Sequence, residues 1–167
     1  MINKNTFRSL SYGVYIISTL DGVRPTGCVA NSAMQITSEP ATIAVSINHN
    51  NYTHGCILET KKFALTVLGE DVSPEVIGTL GYQSARDIKK FESLPYELKD
   101  CMPVIPEGCA YFTCDVVDTL ETNTHTIFLG KVREAGVLSD KNPMTYAYYH
   151  QVRKAKSPKN APTYIPE

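Results

Sequence analysis

The stretch Val14-Tyr15-Ile16-Ile17-Ser18-Thr19-Leu20-Asp21-Gly22 runs on through Val23-Arg24-Pro25 into Thr26-Gly27-Cys28-Val29-Ala30-Asn31-Ser32-Ala33. Its first part is dense in β-branched and aromatic side chains, which suit a pleated, half-buried surface. Asp21-Gly22 accepts the positive φ angles of a tight hairpin turn, so two antiparallel strands are expected around it. A third extended run, Met34-Gln35-Ile36-Thr37, ends at the turn Glu39-Pro40. In Ile43-Ala44-Val45-Ser46-Ile47 the larger side chains alternate, the mark of one buried sheet face. The same alternation returns at Phe63, Leu65 and Val67, at Phe112, Cys114 and Val116, and at Ile127 and Leu129. Six or seven strands with short connections predict a mainly β fold with short helices. A closed or half-open barrel suits that pattern better than a layered α/β sheet.

Three helices are expected between the strands. One runs from Tyr52 to Glu59, entered from Asn50-Asn51. A second starts at Ser73-Pro74-Glu75, with serine as N-cap, proline at the first helical position and an acid near the positive end. The third spans Ser84 to Phe91. The stretch Leu94 to Gly108, with Pro95, Pro103 and Pro106, reads as irregular loop. The tail, residues 151–167, reads as an extended arm lying on a partner subunit.

At 167 residues the chain suits one domain, 1–167, large enough to fold without a metal or disulfide. Sixteen basic against seventeen acidic residues give a net charge of -1, which argues against a dedicated nucleic-acid or anionic-membrane surface. No apolar run reaches the roughly 18 residues of a membrane span, and Met1 to Thr6 lack the apolar core of a secretory signal. The five cysteines are odd in number and hold no C-x-x-C pair. A disulfide framework, a structural zinc site and rubredoxin-type iron ligation are therefore not expected, and the cytoplasm is the default compartment.

Several segments carry candidate chemistry. Thr26 to Ser32 combines small residues, which let a flat ring approach the backbone, with the hydrogen-bonding side chains of Thr26, Asn31 and Ser32. On composition alone a twisted strand with a bulge at Gly27 is the simpler reading. Ser46 to His54 runs from a strand end into a helix start, a junction receptive to phosphate, although Asn and Thr are equally expected there as plain caps. His49 and His54 have no carboxylate at metal-ligand spacing, so no metal site is read there. Arg86 and Lys90, four apart, share one face of the expected helix and either converge on a phosphate or sit on a solvated surface beside an Asp87–Lys90 pair. His125, between Thr124 and Thr126 at a strand start, is equally a proton donor, an orienting contact or an edge residue. Tyr146, Tyr148 and Tyr149 either cover a ring or only pack. Nothing adjacent to Cys28 in the sequence would lower its pKa.

In order along the chain stand Tyr12-Gly13-Val14-Tyr15, Gly27 to Ser32, Gln35-Ile36-Thr37-Ser38-Glu39-Pro40, Ser46-Ile47-Asn48, Asn51-Tyr52-Thr53-His54, Gly81-Tyr82-Gln83-Ser84-Ala85-Arg86-Asp87 and Thr124-His125-Thr126. This set, from about Thr6 to Tyr164, resembles the flavin reductase family. It is most similar to the branch of high-molecular-weight rubredoxins, flavoredoxins and ferric-reductase-like proteins.

The resemblance implies an FMN-binding split β-barrel with Greek-key connections, a homodimer with the flavin near the subunit interface, and NADH or NADPH as electron donor. It places Thr26, Gly27, Cys28, Val29, Ala30, Asn31 and Ser32 along the ring and ribityl chain. Ser46, Ile47, Asn48, Asn51, Tyr52, Thr53, Ser84, Arg86 and Lys90 would hold the ribityl and phosphate end, and His125 would stand near the ring as the catalytic residue. No G-x-G-x-x-G is present, in keeping with a nicotinamide that stacks without its own domain. The implied activity is transfer of electrons from the nicotinamide through FMN to a flavin, an iron chelate, or a protein such as rubredoxin or a diiron oxidase. The alternatives are an FMN carrier without nicotinamide turnover and a non-catalytic ligand-binding barrel. Related chains sometimes carry a C-terminal rubredoxin domain, and this sequence ends without one, so a separate acceptor is expected.

Overall fold

Tyr15–Asp21 (β1) and Arg24–Ala30 (β2) pair antiparallel, and Asp21 stays opposite Arg24. The tight turn is therefore Gly22-Val23, one residue beyond the expected Asp21-Gly22, with Gly22 at a φ of 62°. An Arg24–Asp21 ion pair closes it. The fold is taken from a computed structural model that describes every residue except 87–88, 155–158, 160–161 and 165–167.

The later strands are Ala33–Ser38 (β3), Ala41–Asn48 (β4), Lys62–Val67 (β5), Glu97–Lys99 (β6), Met102–Val104 (β7), Ala110–Glu121 (β8) and His125–Val137 (β9). Seven of them make one antiparallel sheet in the order β2-β1-β5-β8-β9-β4-β3. The pair β6–β7 forms a separate small ribbon inside the proline-rich stretch expected to be irregular. Its two strands are only three residues each, too short to show a period.

Ile17 of β1, Cys28 of β2, Val45 of β4, Leu65 of β5, Cys114 of β8 and Phe128 of β9 belong to one buried cluster. A single sheet brings six strands onto a shared core only by curling around it, so the fold is the half-open barrel the pattern predicted. Register shifts near Cys114 and between Val116 and Asp118 bend the long β8–β9 hairpin that makes up one wall.

The helices are Tyr52–Thr60 (α1), Pro74–Tyr82 (α2) and Tyr146–Gln151 (α3). Asn51 caps α1 by accepting from the Thr53 amide at 3.0 Å. Ser73 precedes Pro74 as expected, but its amide and hydroxyl donate to Glu107 instead of capping α2. Among the described residues of Ser84 to Phe91 the expected helix does not form: Ala85 and Arg86 lie in a turn, Lys90–Glu92 is one 3-10 turn, and Asp87 and Ile88 lie outside the described residues. Helices α2 and α3 pack on the sheet through Val14, Ile16, Leu68, Val76, Leu80, Met144 and Tyr149, a second core beside the barrel. Among the described residues no helix is long and apolar enough to cross a membrane.

Candidate functional site

A cavity of about 430 Å³ opens between the two cores. One wall is the end of β2, Cys28 to Asn31. A second is the end of β4 with the start of α1, which contributes Ser46, Ile47, Asn48 and Asn50 to Tyr52. The end of α2 and the loop after it, Leu80 to Ala85, close the third side together with Lys90. Val14, Ile77 of α2, Tyr146 and Tyr149 of α3, and Lys159 and Pro162 of the tail complete the lining.

The β2 wall is regular. Gly27 stands opposite Ser18 in unbroken register, so there is no bulge. A Cβ on Gly27 would lie 2.8 Å from the Ile17 carbonyl oxygen. The glycine thus answers the close approach of β1, and neither it nor Thr26 reaches the cavity. The buried Thr26 hydroxyl has no hydrogen-bond partner among the described residues. Burial pushes the Cys28 thiol up, against the smaller pull of Lys90, so Cys28 is a neutral wall residue and not a reactive thiolate.

At the opposite wall the asparagines serve the backbone first. Asn48 accepts from the Asn50 amide at 2.8 Å, and Asn51 caps α1. Each is engaged through its oxygen, which makes its NH2 group what it can offer a ligand. Tyr52 donates its phenol to Asp21 at 2.7 Å, fastening α1 to the β1–β2 turn. That hydrogen bond, with Arg24, holds the Asp21 carboxyl below the usual range.

Arg86 and Lys90 do not share a helix face, because Arg86 lies in a turn and Lys90 in a 3-10 turn. Arg86 is exposed and is not itself a lining residue; it lies over the Tyr52 ring at 5.8 Å and donates to the Asn50 carbonyl at 3.1 Å, and through these two lining residues it stands at the rim of the cavity. Lys90 is 4% exposed and donates to the carbonyls of Gly27, at 2.9 Å, and Leu80, at 3.0 Å. Desolvation lowers its pKa. Lys90 therefore pins the end of α2 to β2 and places a cation beneath the cavity.

Of the other expected residues, Ser32 and Thr53 lie off the wall. The Ser32 hydroxyl donates to Asn31 Oδ1 at 3.1 Å, and Thr53 is fully buried. His125 opens β9 opposite Asn48, with its Nδ1 2.7 Å from the Thr124 hydroxyl. It is a strand neighbour of the wall and not part of it.

Sequence reasoning gave no site role to Leu80, Gly81 and Gln83 around the end of α2, to Val14 and Ile77, or to the tail. A Cβ on Gly81 would meet the Val29 side chain at 3.1 Å, so the helix packs tightly on β2 at this point. Of the described tail residues, Thr163 touches its own chain: Asn31 donates to the Thr163 hydroxyl at 2.6 Å, and Thr163 donates to Tyr146 at 3.0 Å. The tyrosine cluster was the one visible signal for this side. Tyr82 and Tyr149 join hydroxyls at 3.0 Å, and burial pushes the Tyr149 phenol well up.

Residues 7–156 match the family described as the flavin reductase like domain. High molecular weight rubredoxin of Moorella thermoacetica is 42% identical over 165 residues, spanning 98% of this chain and 72% of that protein. Ferric-chelate reductase (NAD(P)H) of Archaeoglobus fulgidus is 35% identical, over 95% of each chain. Among solved structures, the NADH:FAD oxidoreductase of Streptomyces globisporus superposes with a TM-score of 0.78 at 20% identity, over 86% of this chain and 85% of that one. Flavoredoxin of Methanosarcina acetivorans superposes with a TM-score of 0.75 at 21% identity, over 86% and 79%.

Proposed function

From the premise that this chain belongs to the flavin reductase family and is an oxidoreductase of that kind, we propose that it binds FMN in the cavity and reduces it with NADH or NADPH. The observation that carries this is the cavity itself. Its volume of about 430 Å³ lies within the range of small-molecule sites, about 300–1,000 Å³. One wall is an apolar strand of small residues and the opposite one a strand-to-helix junction rich in amide donors, with Arg86 at its rim. A flat ring fits the first and a phosphate the second.

On this reading Cys28, Val29, Ala30 and Asn31 pack along the ring. Ser46, Asn48, Asn51, Tyr52 and Ser84 hold the ribityl and phosphate end, and Arg86 gives the phosphate a planar cation at the entrance. Lys90, fixed by two carbonyls, contributes positive potential that favours an electron-rich ligand. His125 orients the donor from the neighbouring strand. The flavin supplies the hydride and electron chemistry when bound. Electrons then pass to a flavin, an iron chelate or a protein acceptor such as a rubredoxin or a diiron oxidase, a range in keeping with the names of the relatives.

We read the working form as a homodimer. On edge strand β3, Met34 is 64% and Ile36 47% exposed, beside an apolar groove of about 270 Å³ lined by Tyr15, Phe112, Val132 and Ala135. All five cysteines are free, which suits a reducing compartment such as the cytoplasm. Light scattering in solution tests the dimer. Stopped-flow mixing of the FMN-loaded protein with NADH or NADPH tests the reaction: the flavin absorbance is expected to bleach rapidly with at least one donor. An unchanged spectrum with both would make the protein an electron carrier fed by another reductase.

A further inference from the structure

We propose that His49, His54 and Glu121 form a binding site for one divalent transition-metal ion of the zinc class, outside the flavin cavity. The three come from different elements: His49 from the exit of β4, His54 from the first turn of α1, and Glu121 from the end of β8. One ligand atom from each lies within 4.8 Å of the other two. His49 Nε2 is 3.0 Å from Glu121 Oε2, and the two imidazoles meet edge to face with centroids 5.1 Å apart. The carboxylate that the sequence does not offer at metal-ligand spacing arrives from 72 residues away, across the β8–β9 hairpin.

The surroundings hold the donors in place. The His49 amide donates to the Thr124 carbonyl at 2.9 Å, and the His54 amide to the Asn51 carbonyl at 3.0 Å. The Thr126 hydroxyl donates to Glu121 Oε1 at 2.7 Å, leaving Oε2 toward His49, and also contacts His54 Nε2 at 2.6 Å. A carboxylate ligand held by such an outer partner is the usual support of a metal site. His54 is 9% exposed and packs against Phe128.

Two imidazoles and one carboxylate suit zinc and its neighbours far better than calcium or magnesium, which prefer oxygen alone. Three protein donors, two of them with side chains open to solvent, leave a coordination position for water. A plain surface His–Glu pair would explain the His49–Glu121 contact alone, but not a second, nearly buried histidine turned into the same cluster. A bound ion would tie the β4 exit, α1 and the β8–β9 tip together at the strand end that carries His125.

The test is calorimetric titration of the full, chelator-treated chain with Zn²⁺, and Co²⁺ absorption as a signature of nitrogen and oxygen ligation. One ion per chain is expected, with a rise in Tm. His49→Ala and Glu121→Gln, both at solvent-exposed side chains and therefore compatible with folding, are expected to weaken binding at least about a hundredfold, as loss of even an outer partner can. Both should abolish the Tm rise and leave FMN affinity unchanged, which separates this site from the flavin cavity. Absence of saturable Zn²⁺ binding to the wild-type chain would overturn the proposal. So would undiminished binding in both variants, as expected if Zn²⁺ binds instead at the exposed Cys101.

Discussion

Two of the cations at the cavity, Lys90 at its floor and Arg86 at its rim, are held in opposite ways. Lys90 is buried, with two carbonyls as fixed partners and no carboxylate in contact among the described residues. Arg86 is exposed, resting on Tyr52 and the Asn50 carbonyl. A spacing of four would make them equivalent on a helix. Without that helix, Lys90 is a strut of the fold, and Arg86 is the exposed cation that the proposed function assigns to the phosphate. Removing the strut should therefore disturb stability, whereas removing the grip should disturb only binding.

The largest effect is expected at the floor. Lys90→Ala strands the Gly27 and Leu80 carbonyls and leaves a void, so urea unfolding should show a loss of about 2–4 kcal/mol. A variant as stable as wild type would mean the two carbonyl bonds contribute nothing net. Next in size is a pH effect isolated by Lys90→Met, which keeps the stem and removes the charge. Burial lowers the Lys90 pKa from the 10.5 of an unfolded chain. Between the lowered value and 10.5 the unfolded chain binds more protons, so wild-type stability should rise with pH relative to Lys90→Met across that window. A flat difference would show that Lys90 keeps its proton as firmly as an exposed lysine does.

At the rim, Arg86→Ala should stay within about 0.5 kcal/mol of wild-type stability. It should weaken FMN binding about tenfold, or roughly 1.4 kcal/mol. Riboflavin, which lacks the phosphate, should bind the two proteins alike. Equal loss for both ligands would move Arg86 away from the phosphate. The smallest effect is expected at His125, which is neither floor nor rim. His125→Ala should slow flavin reduction about fivefold, the worth of one orienting contact of about 1 kcal/mol, with binding unchanged. An unaltered rate would leave it a structural residue of β9.

This contrast also marks how far the sequence was legible. Alternation at Ile43 to Ile47 and at Phe63 to Val67 exposed the strands because one face of each is buried, and burial writes a period of two. Asn51 and Ser73-Pro74 marked helix starts through backbone chemistry that acts within a few residues. The failures are positions where a distant group decides. Gly27 is held small by β1, whose Ile17 carbonyl oxygen lies 2.8 Å from where a Cβ would be. Lys90 is buried by β2 and α2, which spacing cannot register. Glu121 meets His49 only because the β8–β9 hairpin folds over the β4 exit. The Thr163–Asn31 contact joins the tail to β2 across most of the chain. Local patterns state what a segment prefers, and long-range closure decides what it touches.

The central claim is that the space between β2, the start of α1 and α2 is the flavin site. Ala30 lines that space and is half-buried there, so Ala30→Trp fills it from the β2 wall. The direct measurement is FMN fluorescence titrated with the wild-type chain and with Ala30→Trp, both checked by thermal melting. Saturable quenching at one FMN per chain, weakened at least about a hundredfold (about 2.7 kcal/mol) in a variant that still melts cooperatively, is the expected result. Equal FMN affinity in a folded Ala30→Trp would contradict it.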